Sequence, residues 1–194
     1  MKLSTDKMLA EVKNGVGWMT FNHPERRNAL KMEMTAAIPE ILEGFAADDA
    51  VRVLVMKGAG DRAFVSGADI SEFETVRADS SNAKAYGDLV TETVLAIADC
   101  RFPTIALVHG VCVGGGLEIA AACDLRFCSE SSRFGIPINR LGLVMGYPEL
   151  QILIDIVGRS AALEILFEGR ILGANEAKEM GLVNKVMPSS QLDK

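Results

Sequence analysis

Two glycine-containing segments hold the residues best suited to chemistry. The first is Gly114-Gly115-Gly116-Leu117-Glu118, a short way past an apolar run that ends at Val108. Glycines at a helix start cost up to about 1 kcal/mol each relative to alanine. A fold tolerates that where something must approach the backbone closely. The first-turn N–H groups of a helix are unpaired, carry the positive end of its dipole and suit an anionic oxygen. Glu118 follows Gly115 by three residues and so shares its helix face. A carboxylate beside backbone donors forms a proton-transfer pair for a carbonyl compound. The same spacing also fits a plain strand-to-helix turn, with Glu118 as a first-turn dipole partner.

The second segment is Ser66-Gly67-Ala68-Asp69-Ile70. Asp69 suits a cap for Ser71-Glu72-Phe73, which would leave the Ala68 N–H free. Taken alone this is a turn, and Asp69 reads as a structural cap rather than an acid catalyst. Arg26-Arg27 before Asn28-Ala29-Leu30 is a solvated turn, or a phosphate holder if an anionic cofactor docks there. His109, at a strand end, reads as a satisfied turn histidine rather than a base. Nucleotide-binding and serine-hydrolase readings fare worse. The triple glycine is not GxGxxG, and neither GxxxxGK[ST] nor GxSxG occurs.

These segments need strands and helices to hold them. Strands are expected at Val16–Phe21, Val51–Met56, Pro103–Val108, Asp124–Cys128 and Leu182–Val186. Helical periodicity runs from Met32 to Phe45, with Pro39 arguing for a late start or a kink. A helix through Leu89, Val90, Val94, Leu95 and Ile97 follows a small, polar and mobile stretch, Asp79 to Asp88. A short helix covers Leu117 to Ala122, a loop runs from Gly135 to Gly146, and helices at 148–157 and 160–167 join at Gly158. Asn175 is placed to cap a helix from Glu176 to Met180. Alternating strands and helices without a linker imply one α/β domain over residues 1–194.

The 194 residues are 49% hydrophobic, which excludes a disordered chain. A net charge of −6 argues against nucleic acid as a partner. Cys100, Cys112, Cys123 and Cys128 form no CxxC and stand at no zinc-ligand spacing from His23 or His109. They read as reduced thiols of a cytoplasmic protein, and no metal is expected. Met1-Lys2-Leu3-Ser4-Thr5-Asp6-Lys7 lacks an apolar core, so no secretory signal is expected. The stretch from Phe102 to Cys123 is too interrupted to span a membrane.

Read together, the segments resemble the crotonase superfamily, the enoyl-CoA hydratase/isomerase family. The resemblance rests on His23-Pro24-Glu25-Arg26-Arg27-Asn28-Ala29-Leu30, Ala63 to Ile70, Pro103 to Gly110, Gly114 to Ala120, Cys123-Asp124, Phe134-Gly135-Ile136-Pro137 and Gly181-Leu182-Val183. Each is weak alone; their order and spacing are specific. The resemblance implies a spiral of β-β-α repeats, assembled as trimers or hexamers, acting on acyl-CoA thioesters. Coenzyme A would enter as part of the substrate, with no prosthetic group. The N–H groups of Ala68 and Gly115 map to an oxyanion hole, in which each preorganised donor is worth roughly 3–4 kcal/mol to an enolate-like state. Arg26, Arg27, Ala29, Ser66, Gly67, Asp69, Ile70 and Gly114 map along the path of the CoA moiety.

The chain departs from the family pattern in two places. Family hydratases carry two catalytic glutamates; the first maps to Glu118 and the second to Ile138, which moves no proton. One carboxylate suits a double-bond shift better than hydration, unless Glu149 reaches the site from the other side or Asn139 orients a water. The family also continues past Val186 with helices that close the acyl pocket and complete the trimer. Here the chain stops at Lys194, so the C-terminal helical part is expected to be truncated, disordered or absent. The resemblance implies hydratase or isomerase chemistry. Thioester hydrolysis, decarboxylation and a non-catalytic acyl-CoA binder stand as alternatives.

Overall fold

The computed structural model describes residues 3–192; Met1, Lys2, Asp193 and Lys194, which include both ends of the sequence expectations above, lie outside them. In chain order, β1 (Met8–Lys13) and β2 (Val16–Phe21) lead to α1 (Met32–Ala46). β3 (Val53–Gly58), β4 (Ala63–Val65), α2 (Phe73–Val76) and α3 (Ser80–Ala98) form the next unit. β5 (Thr104–Val108), β6 (Val111–Val113) and α4 (Gly115–Ala122) form another, followed by β7 (Leu125–Ser129), β8 (Arg133–Gly135) and α5 (Tyr147–Glu168). β9 (Leu172–Gly173), α6 (Ala174–Glu179) and β10 (Lys185–Met187) complete the order.

The strands sort into two sheets. One runs β1-β2-β3-β5-β7-β10, the other β4-β6-β8-β9. Each of three successive units therefore gives one strand to each sheet before its helix, which is the β-β-α spiral. β3, β5 and β7 are mutually parallel, as are β4, β6 and β8. Parallel order puts the turns that leave β4 and β6 side by side at one end of the smaller sheet. Phe21, Phe45, Phe64, Phe134, Met19, Met56 and Leu54 are among the large side chains fully enclosed between sheets and helices. A small cluster of Val55, Leu107 and Leu192 covers the other face of the larger sheet.

Neither β1 nor the four short strands of the smaller sheet, β4, β6, β8 and β9, were anticipated, because two or three residues carry no alternation to read; the signal for β1 is present. Asn14 and Gly15, at φ 54 and 80, make a two-residue turn that pairs Lys13 with Val16. Ser80 to Asp88 forms the opening of α3 rather than a stretch before it. Asp79 caps α3 by accepting the Asn82 N–H at 2.8 Å. Pro39 neither delays nor ends α1. The Thr35 carbonyl, four residues back and deprived of its helix donor, accepts a 3.4 Å bond from Thr93 of α3.

Gly158, at φ 77 and ψ 161, breaks α5 as expected. The last helix is capped by Gly173, not Asn175, because β9 turns straight into it. The last strand begins at Lys185. Leu182 and Val183 are apolar because they pack into the core before it. Strand ends elsewhere shift by one or two residues, as at Val53–Gly58. Cys112, Cys123 and Cys128 are buried, Cys100 is half-buried, and all four are free. Among the described residues no helix is long and apolar enough to cross a membrane.

Candidate functional site

Three pieces of backbone border or brace a cavity of about 450 Å³. The first is the turn after β2. Asn28, fully buried at φ 55, accepts the His23 N–H (3.0 Å) and donates to the carbonyls of Ala59 (3.1 Å) and Ala63 (2.8 Å). It thereby ties the Arg26–Ala29 turn to β4. The second is the loop after β4, joined to the first by a parallel bridge between Leu30 and Ala68. Leu30 N–H donates to Gly67 O at 2.8 Å, and Asp69 N–H donates to Leu30 O at 2.7 Å. Those bonds take the groups on either side of Ala68, so its own N–H points away from Leu30.

The third piece is the start of α4. Gly114 caps it at φ 52 and ψ −128, a region closed to side chains. Its N–H is held by Gly135 O at 2.9 Å. A methyl at Gly116 would stand 2.3 Å from Val65 O, so the helix start lies hard against β4. A methyl at Gly114 would stand 3.7 Å from the Gly67 Cα, so the two glycine turns are neighbours. Gly115 is the first helical residue, and its N–H has no acceptor within the helix.

The Glu118 carboxylate returns toward this turn: Oε2 lies 4.0 Å from where a Gly115 side chain would begin. It lines the cavity and is half-buried. Burial, and then the charge of Glu149, push its pKa up to about 7. Glu149 stands in the first turn of α5 and is only 5% exposed. Its Oε1 accepts from the Thr91 hydroxyl at 2.5 Å, and its Oε2 has no partner. Gly146 makes room for it, since a methyl there would stand 2.2 Å from Oε2. Two carboxylates, from α4 and α5, thus face one cavity.

Ser66, Gly67, Ala68, Ile70 and Gly114 share its lining with Gly115, Glu118 and Glu149. Arg26, Arg27, Ala29 and Asp69 do not. The Asp69 carboxylate is engaged by the Ser71 hydroxyl (2.7 Å) and N–H (3.1 Å), which lower its pKa. Ser66 donates to Arg26 O at 3.3 Å, and Arg26 and Arg27 are exposed. Ile138 lines the cavity, but the Asn139 amide donates to Phe167 O at 2.9 Å, on helix α5. Asn139 therefore holds the end of α5 rather than a water. His109 is buried where β5 ends.

The sequence reading missed three residues that shape the site. Arg77, just past the end of α2, and Tyr86 of α3 line the cavity; the polar stretch Asp79 to Asp88 had hidden Tyr86. Arg126 closes the far end of α4, donating to the carbonyls of Ala120 and Ala121 (both 3.3 Å), to Cys123 O and to Leu182 O (2.8 Å).

The sequence from residue 11 to 194 matches the family model for enoyl-CoA hydratase/isomerase. The chain belongs to the enoyl-CoA hydratase/isomerase family. Its crotonase fold superposes on the crystal structure of an enoyl-CoA hydratase/carnithine racemase from Magnetospirillum magneticum with a TM-score of 0.94 and 42% identity, over 98% of this chain and 71% of that one. It is 34% identical over 186 residues to the peroxisomal Delta(3,5)-Delta(2,4)-dienoyl-CoA isomerase of Arabidopsis thaliana, covering 90% of this chain and 66% of the relative. It is 33% identical over 190 residues to a short-chain-enoyl-CoA hydratase of Clostridium acetobutylicum, covering 98% of this chain and 72% of the relative. The crotonase chain thus spans about two thirds to three quarters of these relatives.

Proposed function

We propose that this chain binds an acyl-CoA thioester and moves a proton at the carbon next to the thioester carbonyl, as an enoyl-CoA hydratase or isomerase. The observation that carries the reading is the Glu118 carboxylate in the cavity wall beside the opening turn of α4. Proton removal or addition at that carbon builds negative charge on the thioester oxygen. The N–H groups of Ala68 and Gly115, in adjoining turns, are the donors to receive it, helped by the dipole of α4. A carboxyl titrating near 7 is ready to give or take a proton at neutral pH.

Glu149 supplies the acid that Ile138 lacks. In hydration, Glu118 and Glu149 hold the water between them; its hydroxyl adds at the β-carbon and one proton reaches the α-carbon. In a double-bond shift, Glu118 takes a proton at the α-carbon and returns it at the γ-carbon, with no water consumed. The shared names of the relatives, hydratase and isomerase, support both. The four free thiols favour a cytoplasmic setting. The trimer or hexamer that the family resemblance implies would give exposed Tyr147 and Phe167 apolar surface to pack against.

A panel of 2-enoyl-, 3-enoyl- and 3-hydroxyacyl-CoA thioesters, read by mass spectrometry and chromatography, tests the activity. Gain of water or an isomer shift is expected. Release of free CoA would point to thioester hydrolysis and loss of carbon dioxide to decarboxylation. Binding without turnover of any of them would leave a non-catalytic acyl-CoA binder.

A further inference from the structure

Among the described residues, only two buried side-chain nitrogen or oxygen atoms lack a hydrogen-bond partner: Arg77 Nε and Glu149 Oε2. Both belong to walls of the same cavity. Buried polar groups are nearly always satisfied, and an orphan costs the fold its full desolvation penalty. Two orphans of opposite character in one cavity mark places where a bound molecule completes the bonding. Glu149 has its role in the reading above. Arg77 does not.

Arg77 is built to hold a fixed direction. Its guanidinium lies 4.6 Å from the Phe73 ring centre and 4.9 Å from that of Tyr86, and the two rings meet edge to face at 6.3 Å. Stacking on two rings immobilises a side chain that is otherwise rich in rotamers. No carboxylate pairs with it among the described residues, and it is the only cation in the cavity lining. Phe73, Arg77 and Tyr86 line the same cavity as Glu118. A guanidinium offers parallel donors that match a carboxylate.

We propose that Arg77, braced by Phe73 and Tyr86, is an acyl-group subsite that selects thioesters whose acyl chain carries a carboxylate. The proposal rests on the acyl-CoA reading and narrows its substrate class. It also gives the cavity a division of labour. The glutamates serve the reacting carbons, and Arg77 anchors the acyl chain's charged end, which the glutamates would otherwise repel.

Isothermal titration with saturated thioesters tests this without turnover. Glutaryl-CoA, which carries a terminal carboxylate, is compared with pentanoyl-CoA and with free CoA. The parent protein should bind glutaryl-CoA about ten- to a hundredfold more tightly than pentanoyl-CoA. Arg77→Met should erase that preference and leave pentanoyl-CoA and free CoA unchanged, and Arg77→Lys should keep part of it. Equal binding of the two thioesters by the parent protein overturns the subsite and leaves the acyl-CoA reading standing. Equal weakening of all three ligands in Arg77→Met also overturns it, by assigning Arg77 to the CoA phosphates or to the fold. Failure of every thioester to bind sinks the acyl-CoA reading itself, and the subsite with it.

Discussion

Glu118 pays for its position in stability. A glutamate ordinarily titrates near 4.5, and in the fold this one holds its proton to about 7. Below the lower value both folded and unfolded chains are protonated, and nothing is lost. Between the two the unfolded chain ionises first, so stability falls as pH rises, and above about 7 the loss is complete. Glu118→Gln carries no such loss. Urea unfolding should find it more stable than the parent at pH 8, by on the order of 2–3 kcal/mol, with the gap closing toward pH 5. The same variant should lower kcat by roughly 10²- to 10⁴-fold while thioester affinity, read by titration, stays near that of the parent. If Glu118 acts as the base, kcat/KM should rise with pH to a limb near 7. Glu149→Gln removes the like charge that helps raise Glu118, so its limb should lie at lower pH. A pH–rate series on both proteins measures the displacement.

The helix α4 works because both of its ends are tended. Its first turn is pressed against β4 through Gly116, where any side chain would strike Val65 O. Gly116→Ala should therefore push the turn off the strand, lowering stability by about 1–3 kcal/mol and activity with it, as thermal unfolding and a kinetic assay would show. Gly87 is the contrast. It lies within α3, and nothing stands within 4 Å of a methyl added there. Gly87→Ala should raise stability by roughly 0.5–1 kcal/mol, since alanine restricts the unfolded chain and favours the helix. The two variants share one chemical change and differ in the neighbouring element, so opposite shifts in melting temperature are expected.

At the scale of the molecule, α4 is also the axle between the sheets and the closing segments. Arg126 of β7 reaches back under its last turn and binds carbonyls of Ala120, Ala121 and Cys123 together with Leu182 from the segment before β10. The cation meets the negative end of the helix dipole while the N-terminal end faces the cavity. Burial lowers its pKa, yet the ring of carbonyls keeps the charge tolerable. Arg126→Met should cost about 3–5 kcal/mol by leaving those carbonyls unpaired, and should loosen the last third of the chain in hydrogen exchange.

Sequence order and spacing were enough for the strands β2, β3, β5 and β7 of the larger sheet and the helices between them, the glycine turns at 67 and 114, the break at Gly158 and the placement of Glu118 on the helix face of Gly115, but not for β1 or the smaller sheet. These are local matters, decided by periodicity, capping and the φ values only glycine adopts. Length in the helices was less legible, since Asp79 to Asp88 looks polar until Asp79 is seen capping it and Thr93 is seen rescuing the carbonyl that Pro39 strands. What tertiary structure alone decided is which distant side chains meet. Glu149 joins Glu118, and Arg77 is pinned between Phe73 and Tyr86. Arg126 gathers carbonyls from two segments. Each of these depends on how α2, α3 and α5 pack around one cavity. No local pattern encodes that distance, because it is set by the summed packing of the core between the sheets and helices.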